Sequence, residues 1–95
     1  MRRAEVLQRL KELRPLLNKR GIERLRLFGS HARDEAEPES DVDLIAHFSV
    51  QPSLVDLIAI EQELGAALGA PVDLATEAGL RPRVRQRIEA EAIDA

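Results

Sequence analysis

Apolar residues recur along this chain with a period that changes from segment to segment, and the changes mark out its elements. Across residues 3–20, Val6, Leu10, Leu13 and Leu17 step by three or four, Leu7 and Leu16 widen the stripe, and Arg and Lys fill the other side. That spacing predicts an amphipathic helix. Lys19-Arg20 ahead of Gly21 make a suitable C-terminal stop. Pro15 falls inside the pattern and removes a helical hydrogen bond, so a kink or an early end near Arg14 is expected. Residues 22–28 form a short apolar strand pattern. Gly29-Ser30 then opens a short helix through Ala32 and Arg33, and the charged residues 34–39, with Pro38, are a loop.

Residues 41–48 alternate, with Val42, Leu44, Ala46 and Phe48 on one face and Asp41, Asp43, Ile45 and His47 on the other, as a strand requires. Val50-Gln51-Pro52 ends that strand. Ser53 then caps a helix, Asp56 completes a capping-box arrangement, and Leu54, Leu57, Ile58, Leu64 and Leu68 are its expected buried stripe, with Gly69 as the stop. A third strand covers residues 71–75. The tail, residues 77–93, repeats Leu80, Val84, Ile88 and Ala92 at steps of four and predicts a last helix. This order implies an α/β fold of the α+β type, a small sheet covered by helices. The pattern alone leaves strand order open.

Ninety-five residues make one domain, residues 1–95, with no room for a separate substrate-binding domain. The chain is 44% hydrophobic and 33% charged, a globular balance. It has no Cys, which excludes disulfides and thiolate metal sites. The N-terminus lacks the apolar run of a secretory signal, and no stretch approaches the length of a membrane span. The expected location is the cytoplasm, with no membrane contact. A net charge of −3 and only two aromatics, Phe28 and Phe48, argue against direct nucleic-acid binding.

Folding alone explains Asp41 and Asp43 poorly. Two carboxylates on one strand face, roughly 6.6 Å apart along the backbone, repel each other, and a divalent cation between them removes that cost. Hard carboxylate oxygens suit Mg²⁺. Asp73 interrupts the apolar run of the third strand, and if that strand pairs beside the second it can join the same site. The Gly29-Ser30 turn offers backbone N–H groups and a hydroxyl to a phosphate, although Ser30 alone is equally an N-cap. Arg33, one turn on, either meets phosphate or pairs with Asp41 or Glu35. His31 is expected to face solvent, with no catalytic role, and Glu61 and Glu63 to form a solvated face. Arg81, Arg83, Arg85 and Arg87 make the tail helix basic, either as a solvated face or as a contact for an acidic partner or triphosphate. Metal and phosphate ligands together point to phosphoryl or nucleotidyl transfer. A P-loop Lys is absent, which excludes that NTPase class.

GS-x-x-R followed by SDVDL resembles the nucleotidyltransferase motif of the DNA polymerase β superfamily. The chain's size and the ending PVDLATEAGLRPRVRQRI resemble its minimal nucleotidyltransferase branch, MNT. The resemblance covers nearly the whole chain and implies a palm-like core with a mixed sheet. It also implies that Asp41, Asp43 and Asp73 are the catalytic carboxylates and the ligands of two Mg²⁺ ions, and that Gly29, Ser30 and Arg33 bind the nucleotide. The implied reaction is transfer of AMP from ATP. The implied partner is a HEPN-domain RNase toxin, neutralised as its antitoxin adds AMP to a Tyr. Asp34 departs from the family's commonest form, in which Gly follows the Arg. Two alternatives are a non-catalytic antitoxin that acts by binding, and an enzyme for small molecules with a second domain supplied in trans.

Overall fold

Pro15 divides the N-terminal helix. In the computed structural model, which describes residues 1–95, α1 (Arg3–Glu12) stops at Leu13 and α2 (Arg14–Lys19) restarts with the proline in its first turn, where the missing N–H costs nothing. Then come β1 (Ile22–Phe28), α3 (Gly29–Ala32), β2 (Val42–Phe48), α4 (Leu54–Leu68) and β3 (Val72–Thr76). A 3₁₀ turn (Glu77–Gly79), α5 (Pro82–Glu91) and β4 (Ile93–Asp94) complete the chain. The four strands form one mixed sheet in the order β3-β2-β1-β4. Only the β2–β3 pair is parallel.

The inward face of the sheet carries Leu25 and Leu27 of β1, Val42, Leu44 and Ala46 of β2, and Leu74 of β3, all buried with Val6, Leu10, Leu17, Ile60, Leu64 and Leu68 of α1, α2 and α4. The α4 stripe differs from the expected one. Leu64 and Leu68 do face the core, with Ile60, but Leu54 and Ile58 are 71% and 46% exposed. At about 100° per residue, those two lie roughly 80° and 120° around the helix from Leu64, off the buried side. Ser53 does cap α4, its Oγ accepting from Asp56 N at 3.1 Å. Gly69 ends it in the left-handed region at φ 74°. Glu61 is not a purely solvated residue: its Oε2 accepts from Leu74 N of β3 at 2.8 Å.

The second face of the sheet presents Arg26 and Phe28, then Asp43 and Ile45, then Asp73 and Ala75 in three adjacent strands. The 3₁₀ turn and α5 lie over this face, with Ile88 buried. Arg26 is 3% exposed, and donates to Glu77 Oε1 at 2.8 Å and Glu89 Oε1 at 3.0 Å, tying the sheet to its cover. Its Nε has no partner. The tail helix is shorter than the periodicity predicts, because Leu80 and Arg81 are extended and residues 93–94 leave the helix to pair with β1. No helix is long and apolar enough to cross a membrane.

Candidate active site

Parallel pairing in register sets Asp43 of β2 directly beside Asp73 of β3, and Phe28 of β1 opposite Asp43 on the other side. Side chains on one face of neighbouring strands are in reach of each other, so the two carboxylates share a patch of surface. Asp41 precedes β2 and is exposed. It contributes to the negative field felt by Asp43 but does not belong to the strand ladder that holds the other two.

The β1–α3 corner closes on this row. Gly29 has φ +76°, and a Cβ at that position would overlap Asp43 Oδ2 and lie 3.2 Å from its Cγ. Glycine is therefore required twice, for the left-handed backbone and for the room the carboxylate occupies. Burial, then Asp73, then Asp41 push the Asp43 carboxyl above its ordinary range, with His31 and Arg33 pulling the other way. The first of these causes is desolvation of a charge and the next two are like-charge repulsion.

Ser30 follows Gly29 at the start of α3. Its side chain caps no helix, since the N-cap position is Phe28 and carries no side-chain bond. The Ser30 carbonyl accepts from Glu35 N at 2.8 Å, leaving the hydroxyl without an assigned partner. Arg33 reaches Glu35 at 3.2 Å and Glu91 of α5 at 3.9 Å, and its side chain remains about half exposed.

His31 corrects the solvent-facing expectation. It is 2% exposed, and its Nδ1 lies 3.1 Å from the Asp41 carbonyl oxygen. In a helix of only four residues, local pattern carries little information about which side chain turns inward. The contact that decides it comes from ten residues away, and it anchors the backbone just ahead of β2. Asp34 adopts φ +58°, the left-handed region where Asp is among the few non-glycine residues tolerated. Its carboxylate accepts from Arg3 N at 2.9 Å, and that bond holds the Asp34 pKa below its ordinary value. Asp34 thus closes the free N-terminal turn of α1 from across the fold.

Of the residues singled out in the sequence, the fold brings together Gly29, Asp43 and Asp73, with Ser30 on the adjoining α3, Arg33 at its C-terminal cap and Asp41 at the entrance to β2. No group of three or more His, Asp or Glu side chains is gathered tightly enough to hold a metal ion alone. A magnesium ion does not need such a cage, since it binds through one or two carboxylates plus water and substrate phosphate. The Asp43–Asp73 pair, with charge that no nearby cation fully offsets, fits that mode of binding.

Residues 3–95 match the family model described as a nucleotidyltransferase domain. A candidate protein adenylyltransferase of Methanocaldococcus jannaschii is 40% identical over 80 residues, 84% of this chain and 86% of that protein. A solved structure of a candidate minimal nucleotidyltransferase superposes with a TM-score of 0.84 at 36% identity, covering 98% of this chain and 95% of that one. The MNT antitoxin–HEPN toxin complex of Shewanella oneidensis, whose toxin is tri-AMPylated, shares the fold at a TM-score of 0.73 and 18% identity, over 94% of this chain and 70% of that one. With a match across nearly its full length, and with the carboxylate row and glycine corner in place, this chain belongs to the nucleotidyltransferase domain family.

Proposed function

We propose that this chain is a Mg²⁺-dependent protein adenylyltransferase that moves AMP from ATP onto a hydroxyl group, a tyrosine, of a HEPN-domain toxin and so acts as its antitoxin. The observation that carries the reading is the in-register Asp43–Asp73 pair against Gly29, an arrangement that costs stability unless a cation and phosphate use it. The names of its relative and of the antitoxin complex support the choice of acceptor and partner. A cytoplasmic setting, where ATP is supplied, goes with this reading.

Asp43 and Asp73, with Asp41 beside them, would hold the divalent ions. Bound there, Mg²⁺ supplies charge neutralisation for the attacking and leaving oxygens. The remaining work falls to the chain's own groups. Gly29 lets the backbone approach the nucleotide, and the Ser30 hydroxyl donates to the β- or γ-phosphate. Arg33 exchanges its exposed partners Glu35 and Glu91 for phosphate oxygens, which it binds through charge-assisted hydrogen bonds. Asp73, exposed on the outer strand, accepts the proton of the incoming hydroxyl. The acceptor oxygen bonds to the α-phosphorus, the bond to the β-phosphate oxygen breaks, and pyrophosphate leaves.

The chain contains no Tyr, so a tyrosyl acceptor must reside on another molecule. Incubation with the HEPN partner, Mg²⁺ and ATP labelled at the α-phosphate should put label on the partner, stable to denaturation, and Asp43→Asn should abolish it. Neutralisation of the toxin that survives Asp41→Ala with Asp43→Ala, without any mass increase on the partner, would overturn transfer in favour of blockade by binding.

A further inference from the structure

We propose that His31 is a positioning residue for Asp41: its ring holds the Asp41–Val42 peptide group in place and so sets where the Asp41 carboxylate stands relative to Asp43 and Asp73. The proposal rests on the adenylyl-transfer reading above and adds to it the group that holds the one candidate carboxylate standing outside the sheet.

Asp43 and Asp73 need no such help. Both are paired in the parallel ladder of β2 and β3, so strand geometry fixes the direction of each side chain. Asp41 comes one residue before β2, at the end of a loop whose own hydrogen bonds are local. Across residues 36–40 these are Glu37 N to Ser40 Oγ and Ser40 N to Glu37 O, both at 3.0 Å. Neither ties the loop to the body of the fold.

The tie comes at the next peptide group. The carbonyl of Asp41 and the N–H of Val42 belong to one planar unit, which also contains the Asp41 Cα. Its oxygen lies 3.1 Å from His31 Nδ1, and its N–H donates to the Pro71 carbonyl oxygen at 2.8 Å. One side of the plane is thus held by α3, the other by the residue that leads into β3. A planar group fastened at both ends resists rotation. The Asp41 Cα is fixed with it, and the carboxylate keeps only the short reach of its own side chain.

A carbonyl oxygen can only accept, so Nδ1 carries the proton of this bond. The imidazole is 2% exposed, and water does not readily take its place as donor. His31→Leu keeps a similar bulk and removes the donor. His31→Asn is smaller, but its amide nitrogen is the same number of bonds from the backbone as Nδ1 and donates in its stead. The two substitutions therefore separate holding Asp41 from filling space. Groups that orient a metal ligand from behind act on metal affinity and on rate by about 10–100-fold.

The test uses the full chain as wild type, His31→Leu and His31→Asn. It reads the Kd for Mn²⁺ alone by electron paramagnetic resonance, with and without Asp41→Ala, beside the rate of AMP transfer to the HEPN partner. Expected for His31→Leu is Mn²⁺ binding weakened at least about tenfold and transfer slowed about 10–100-fold, with His31→Asn within about threefold of wild type in both. In the Asp41→Ala background His31→Leu should leave the Mn²⁺ Kd unchanged, because the ligand it places is gone. Nitrogen–proton correlation spectra of the wild-type ring should show the proton on Nδ1, a measurement that needs no variant to fold. An Nδ1 without a proton overturns the proposal. So does equal impairment in His31→Leu and His31→Asn, or the same loss of Mn²⁺ affinity with and without Asp41. A wild type that puts no AMP on the partner removes the adenylyl-transfer reading instead, and the Mn²⁺ titrations and ring spectra still decide whether His31 places Asp41.

Discussion

Replacing Gly29 by alanine puts the corner of the site under direct test. The backbone there sits at φ +76°, and holding an L side chain in the left-handed region costs roughly 1–2 kcal/mol. The new Cβ also overlaps Asp43 Oδ2 and comes within 3.2 Å of Cγ. Asp43 is fixed on the central pair of strands, so the conflict forces a rotamer change or a backbone shift, at about 1–3 kcal/mol. Together these amount to roughly 2–5 kcal/mol, a large part of the 5–15 kcal/mol typical of a domain. The two contributions separate in a double-mutant cycle by urea denaturation in metal-free buffer. In an Asp43→Ala background the strain remains, but only an ordinary 3.4 Å approach to residue 43 Cβ is left, so the cost of Gly29→Ala should fall by about 1–3 kcal/mol. An unchanged urea midpoint for Gly29→Ala, or the same cost in both backgrounds, would refute the claim that the glycine makes room for the carboxylate.

Two further substitutions address the site's electrostatics and the core. The Asp43 carboxyl is held above its ordinary range by burial and then by Asp73 and Asp41, so its stabilising contribution is full in acid and is lost as pH rises through the folded-state value. Metal-free Asp43→Asn should therefore melt above wild type at neutral pH, with the gap closing as pH falls below about 4, the unfolded carboxylate value; a gap independent of pH would count against the charge repulsion. Leu64→Ala, at a site 1% exposed, should cost about 2–5 kcal/mol. Leu54→Ala should stay within roughly 0.5 kcal/mol, and equal losses at the two positions in chemical denaturation would mean that the buried side of α4 is misplaced.

Those contrasts follow where local pattern carried information and where it did not. Strand alternation reports directly on which face a residue takes, so β1, β2 and β3 were legible in outline, and Asp43 and Asp73 stood out as polar breaks in apolar runs. Their adjacency required the β2–β3 register, which no local pattern contains. In α4, apolar residues surround much of the helix, and periodicity could not choose between the side of Leu54 and Ile58 and the side of Ile60 and Leu64. His31, Arg26 and Glu61 take their positions from partners 10, 51 and 13 residues away, so each was invisible or misread. The pairing of β4 with β1 involves only two residues of each strand, too short for any alternation to show. Asp34 was noticed as a departure from the family motif. Its left-handed backbone and its bond to Arg3 N explain how an aspartate serves at that corner.

The bond from Leu74 N to Glu61 settles how this sheet ends. Leu74 belongs to β3, the strand at one margin, and a free outward amide there would invite a strand from a neighbouring molecule. A carboxylate from the chain's own helix already occupies that amide. At the other margin, β4 is only two residues long and offers little ladder to extend. A strand adding along the edge nearest Asp73 would therefore have to displace Glu61 from the middle of β3.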